Sequence, residues 1–224
     1  MDMGAPIRMP TETPALLTLV QWLSPAFPVG AFSYSHGLET AVEAGEVADA
    51  NSFQNWLGDI LQYGAGRNDA ILLVAAYHAP DESVLEDIDA MARALAPSRE
   101  RLAETVQQGD AFSRTASNIW SARQRSASYP VAVGAAAREM GLPLHDTLQF
   151  FLHGFAGNLT SAAIRLVPLG QTAGHAALAT MAPLCAGIAA RAQTQTLDDL
   201  GACAFMGDIA SMKHETEYSR LFQS

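Results

Sequence analysis

The chain has 224 residues, 49% of them hydrophobic, and a formal net charge of -10. That is ample apolar material for one large core. The negative balance argues against nucleic-acid binding, which rests on neutralising phosphates with Lys and Arg.

A polar, proline-bearing stretch reads as a flexible tail over 1–13. Ala15 to Leu23 is apolar enough for a short helix, which must stop before Pro25 because the residue preceding a proline is driven out of helical geometry. SPAFPVGAFSYSHGLE, residues 24–39, then reads as a loop. Pro25 and Pro28 impose extended backbone, Gly30 permits a positive φ, and Ser35 can cap a short helix with Glu39 in its first turn and its end at Gly45.

Asn51 to Tyr63 places Phe53, Trp56, Leu57, Ile60 and Leu61 at helical spacing, with Asn51 as N-cap and Gln54 at the capping-box position. Arg67–His78 and Asp81–Ala96 are further helices, closed by Pro80 and Pro97. Ser98 caps a longer one reaching Arg123. Its expected core side carries Leu102, Val106, Phe112, Ala116, Ile119 and Trp120, while Arg99, Arg101 and Arg123 solvate its ends and Gly109 slightly weakens its middle. Val131–Met140 is Ala-rich and stops at Gly141.

Leu144 to Val167 is apolar on every side, as expected of a helix buried at the centre of a bundle. Gly154, Gly157, Ser161 and Ala162 recur about once a turn, so a neighbouring helix can approach closely. Thr172–Arg191 is helical, kinked or divided by Pro183. No stretch alternates strictly with β-branched enrichment, so the expected fold is all-α: one domain of about eight to ten packed helices with a buried central helix. The ending GDIASMKHETEYSRLFQS keeps Tyr218, Leu221 and Phe222 at i, i+3, i+4. Such a stripe either docks on its own domain or waits for a partner's groove.

Enzyme chemistry finds little support. The one lysine, Lys213, has no phosphate-loop glycines before it, and there is no GxSxG nucleophile turn. His36, His78, His145, His153, His175 and His214 form no HExxH or ExxH pattern, so each is expected to be a solitary hydrogen-bonded side chain. Cys185 and Cys203 are too few for a disulfide framework and are expected to be buried as small hydrophobes. No apolar run of about 18 residues and no secretory signal are evident, so a cytoplasmic chain without catalytic residue, metal or cofactor is expected. In the 24–39 loop, however, aromatics alternate with serines and a histidine, a mixture enriched at protein interfaces.

Three blocks in order, residues 24–47, 152–174 and 208–224, closely resemble the UreF family of urease accessory proteins: SPAFPVGAFSYSHGLETAVEAGEV, LHGFAGNLTSAAIRLVPLGQTAG and DIASMKHETEYSRLFQS. The resemblance implies a non-catalytic cytoplasmic scaffold that bridges UreD (also called UreH) and the GTPase UreG on apo-urease while nickel is inserted. A homodimer within that complex is also implied. Carried over by position, the partner-binding residues are Pro28, Gly30, Phe32, Tyr34, Ser35, Gly37 and Glu39 in the loop. Arg165 is expected to organise the adjoining loop. In the tail, 211–224, they are His214, Glu215, Tyr218, Arg220, Leu221 and Phe222, expected to order on binding UreD. Two alternatives are a GTPase-activating protein inserting Arg220 or Arg114 into UreG, and a nickel-binding chaperone.

Overall fold

The computed structural model describes residues 12–224, so most of the expected tail over 1–13 lies outside the described residues. The chain runs through α1 (Glu12–Trp22), a 3-10 turn (Ala31–Ser33), α2 (Leu38–Glu43), α3 (Ala50–Tyr63), α4 (Ala65–His78) and α5 (Glu82–Ala94). It continues with α6 (Arg99–Trp120), α7 (Tyr129–Glu139), α8 (Leu144–Leu166), α9 (Gly170–Ala192), a second 3-10 turn (Leu197–Asp199) and α10 (Phe205–His214). Among the described residues there is no strand, and the fold is all-α.

Local chemistry sets most helix starts. Asp81 and Ser98 cap α5 and α6, their side-chain oxygens accepting from the backbone N–H of Val84 and Arg101 at 3.0 and 3.1 Å. α3 begins earlier than expected. Asp49, not Asn51, is its cap: the Asp49 carboxylate accepts from Ser52 N at 2.8 Å and Ser52 Oγ accepts from Asp49 N at 3.0 Å, satisfying two otherwise orphan donors.

Two helix ends also differ. α6 stops at Trp120, where Ser121 adopts φ 60°, and residues 121–128 return across the helix. They pass over Gly109, where a side chain would collide with the Ala127 carbonyl. Gly109 therefore provides clearance rather than a weak point. α9 passes through Pro183 undivided. Pro183 and Ala179, the residue whose carbonyl loses its helical donor, both lie on the exposed side, where that carbonyl is open to solvent. Gly170–Ala192 has the length and composition of a membrane span, and 33% of its most apolar window is buried, against α8, α3 and α4.

The centre belongs chiefly to α4 and α7. α4 buries Ala70 to Val74 and Ala76, and α7 buries the whole run Pro130–Ala137, whose small residues let the two helices pack tightly. α8 shares this centre rather than occupying it: Leu148, Phe151, Leu152, Ala156, Leu159 and Ala163 are buried, but His153, Ser161 and Arg165 reach solvent. Gly154 of α8 makes room for the Leu23 carbonyl at the end of α1, not for another helix. Trp22, Phe53 and Phe112 are fully buried, with Trp22 edge-on to Phe112 at 5.0 Å between ring centres. Each such burial contributes on the order of 2–3 kcal/mol. Cys185 is buried as expected, whereas Cys203 is exposed, its thiol donating to Asp208 at 3.0 Å.

Candidate functional site

Loop 24–39 runs from α1 into the first turn of α2 and turns inward at its end. His36 and Gly37 are consecutive left-handed residues, with φ 58° and 79°. Gly37 also lies against α10, where a Cβ would come within 2.5 Å of Ser211 N, so only glycine satisfies both the conformation and the contact. For His36 the left-handed backbone costs about 1–2 kcal/mol, so the surroundings must hold it. Its Nε2 lies 2.9 Å from Glu104 Oε1 and 2.8 Å from Arg101 Nη1, and the ring meets Phe155 edge-on at 4.8 Å.

Those partners come from a polar stripe that faces inward. Arg101, Glu104 and Gln108, at i, i+3 and i+7 on α6, are 8, 3 and 6% exposed. Arg101 thus pairs with Glu104 in the interior instead of solvating the helix end, and Leu102 and Val106 take the half-buried flanks. Tyr34 is tied to the same helix beside this stripe, donating to Gln107 Oε1 at 2.8 Å.

Burial and the Arg101 charge both lower the His36 pKa, so the ring is neutral near pH 7. Burial works to raise Glu104, but the Arg101 charge together with His36 and the hydrogen bonds from both side chains outweighs it and holds the carboxyl at about 2. Burial, aided by the Glu104 charge, raises Tyr34. On α4, Asp69 faces the same cluster without an ion-pair partner among the described residues, and burial pushes it up to about 7 against the pull of Arg101. Cavities of about 40 and 60 Å³ flank the cluster, and His36, Asp69, Arg101 and Thr105 line both. Polar spaces of that size suit one or a few bound waters.

The C-terminal segment closes over the loop. α10 ends at His214, which is fully buried, with Nδ1 2.7 Å from Glu100 Oε2 and Nε2 3.3 Å from Glu39 Oε2. Beyond it the expected helical stripe does not form: residues 216–224 run irregularly along the loop. Glu39 accepts from the backbone N–H of Leu221 and Phe222 at 2.8 and 2.9 Å. Gln223 N donates to Ser33 O at 2.8 Å, Ser35 N donates to Ser224 O at 2.7 Å, and Ser224 Oγ donates to Glu104 Oε2 at 3.1 Å. Phe222 lies beneath the Arg165 guanidinium, 4.3 Å from the ring centre, and Arg165 Nη1 donates to Phe32 O at 3.1 Å.

The expected partner-binding residues therefore divide by accessibility. Tyr34, Ser35, Gly37, Glu39, His214 and Phe222 are buried within the chain itself. Phe32, Tyr218 and Leu221 are 71, 106 and 70% exposed. Pro28, Arg165 and Arg220 are also exposed, Arg220 being paired with Glu100; Gly30 and Glu215 are intermediate, Glu215 holding Arg99. No group of three or more His, Cys, Asp or Glu side chains suited to a metal ion occurs among the described residues.

Asp69, Arg101, Glu104 and Gln108 belong to this region but were not singled out from the sequence. A signal existed: three polar residues at helical spacing on α6, and one carboxylate heading the apolar run of α4.

The fold and site define an all-α protein whose loop 24–39 and C-terminal segment, far apart in sequence, seat on one another around an α6 polar stripe. The UreF family model matches residues 47–182. Proteins named urease accessory protein UreF are similar over nearly the full length. That of Roseobacter denitrificans is 52% identical over 217 residues, 97% of each chain. That of Ruegeria pomeroyi is 51% identical over 215 residues, 96% of this chain and 99% of the relative. That of Mesorhizobium japonicum is 49% identical over 215 residues, 94% and 96%. The chain belongs to the UreF family of urease accessory proteins.

Proposed function

We propose that this chain is a non-catalytic cytoplasmic scaffold in urease maturation, bridging UreD (UreH) and the GTPase UreG on apo-urease so that nickel enters the urease active site. The observation that carries this reading is the composite surface at the loop and tail. Phe32 from one block and Tyr218 and Leu221 from the other hold large apolar side chains in solvent, above a framework of buried bonds that fixes both backbones. Interface energy concentrates in such anchors, aromatic ones above all.

The test is co-purification with cognate UreD and UreG, comparing wild type with Phe32→Ala and with the pair Tyr218→Ala, Leu221→Ala, followed by GTP turnover with nickel present. The scaffold reading expects assembly to fall at least tenfold in one or both variants while the thermal midpoint holds, with little change in turnover per assembled complex. Wild-type levels of assembly in both variants would overturn it. The GTPase-activating alternative retains one observation in its favour: Arg114 is exposed and has no ion pair among the described residues, whereas Arg220 is engaged by Glu100. A rate increase of roughly 10³-fold or more that vanishes in Arg114→Ala would select that alternative.

A further inference from the structure

We infer that Glu39 is a positioning residue for the partner surface: its buried carboxylate seats residues 218–224 on loop 24–39, and the partner reads the surface so assembled without touching Glu39. The inference rests on the partner-binding reading proposed above.

Glu39 is 3% exposed, so in this conformation its carboxylate is out of reach of another protein. All its acceptor capacity is turned inward. Oε1 receives Leu221 N–H, Oε2 receives Phe222 N–H, and Oε2 also lies 3.3 Å from the His214 ring. Hydrogen bonds to an ionised acceptor are roughly twice as strong as neutral ones. Two such bonds to adjacent amides fix the direction of the backbone at 221–222, and the side chains follow: Phe222 points in beneath Arg165, and Leu221 points out.

The segment has little else to hold it apart from polar contacts. Phe222 is its only buried large apolar side chain, and the remaining ties are those to Ser33, Ser35, Glu100 and Glu104. A stretch with few buried apolar contacts opens more easily than the core. The carboxylate at 39 can therefore be disabled with the helical core intact, and the exposed anchors Tyr218 and Leu221 then lose their fixed positions relative to Phe32.

The experiment combines amide hydrogen exchange with a double-mutant cycle. Glu39→Gln replaces one acceptor oxygen by a donor facing an N–H. In the free chain it is expected to speed exchange at Leu221 and Phe222 at least tenfold while α4 amides keep their protection. Glu39→Asp keeps the charge beside His214 but shortens the reach, and serves as the second variant should Glu39→Gln fail to fold. It is expected to speed exchange at the same two amides. Affinity for cognate UreD is then measured for wild type, Glu39→Gln, a chain truncated after Glu217, and the truncated chain carrying Glu39→Gln. Glu39→Gln is expected to weaken binding at least tenfold in the full chain and to have no effect in the truncated one. Unchanged exchange at 221–222, or a further loss of affinity in the truncated background, would overturn the positioning role. Should wild type bind no UreD while Glu39→Gln frees the two amides, the partner reading fails and the seating of the segment by Glu39 stands.

Discussion

Replacing Asp69 by asparagine should make the protein more stable at neutral pH, and by an amount that grows with pH. Burial carries the Asp69 carboxyl from 3.8 up to about 7 in the folded chain. Each pH unit of that displacement corresponds to about 1.4 kcal/mol, so ionised Asp69 costs the folded state up to about 4 kcal/mol, a large part of a typical 5–15 kcal/mol. The sign follows from proton counts. Between about pH 4 and 7 the unfolded chain has released this proton and the folded chain still holds it, so stability falls as pH rises through that window and levels off above it. Charged Arg101 and Glu104 act on the group with opposite sign, and Asp208 and the neutral His36 ring share its cavity.

The substituted amide would keep the shape of the carboxyl and never ionise. The assay is urea unfolding of wild type and Asp69→Asn at about pH 4, 5, 6, 7 and 8, followed by circular dichroism. The two chains should agree near pH 4 and diverge to about 2–4 kcal/mol near pH 8. Taking the difference cancels the opposite contribution of His36. Because its folded pKa is lowered, stability from that ring falls as pH drops below about 6.5, where the unfolded ring gains a proton. Parallel curves across the whole range would refute the reasoning and place Asp69 in contact with solvent or a cation.

Glu104→Gln should lose about 3–5 kcal/mol in chemical denaturation, because it leaves Arg101 charged and buried without its carboxylate. Tyr34→Phe should lose about 1 kcal/mol by deleting the bond to Gln107, whereas Phe32→Ala, two residues away and exposed, should move the thermal midpoint by less than about 2 °C. Gly109→Ala tests the crossing of residues 121–128: helix propensity alone favours alanine by about 1 kcal/mol, yet the Ala127 carbonyl should turn the measured change into a net loss.

The sequence by itself determined the all-α class and most helix boundaries, because caps, prolines and the 3.6-residue apolar period act locally. α3 shows both the strength and the limit of that reading: Phe53, Trp56, Leu57, Ile60 and Leu61 are all buried as their spacing requires, but the cap lies at Asp49, two residues before the expected one. The family was legible as well, and relatives about 50% identical over nearly the full length belong to it. Only the tertiary structure decided which side chains of those blocks face outward. Nothing local distinguishes Phe32 from Tyr34, or Leu221 from Phe222; their opposite exposures follow from Glu39, Arg165 and Gln107, all distant in sequence. The inward stripe of α6 has the same cause. Arg101 reads as a solvated charge until Glu104 and His36 meet it in the interior, and burying a charge becomes tolerable only when a folded chain supplies its partners.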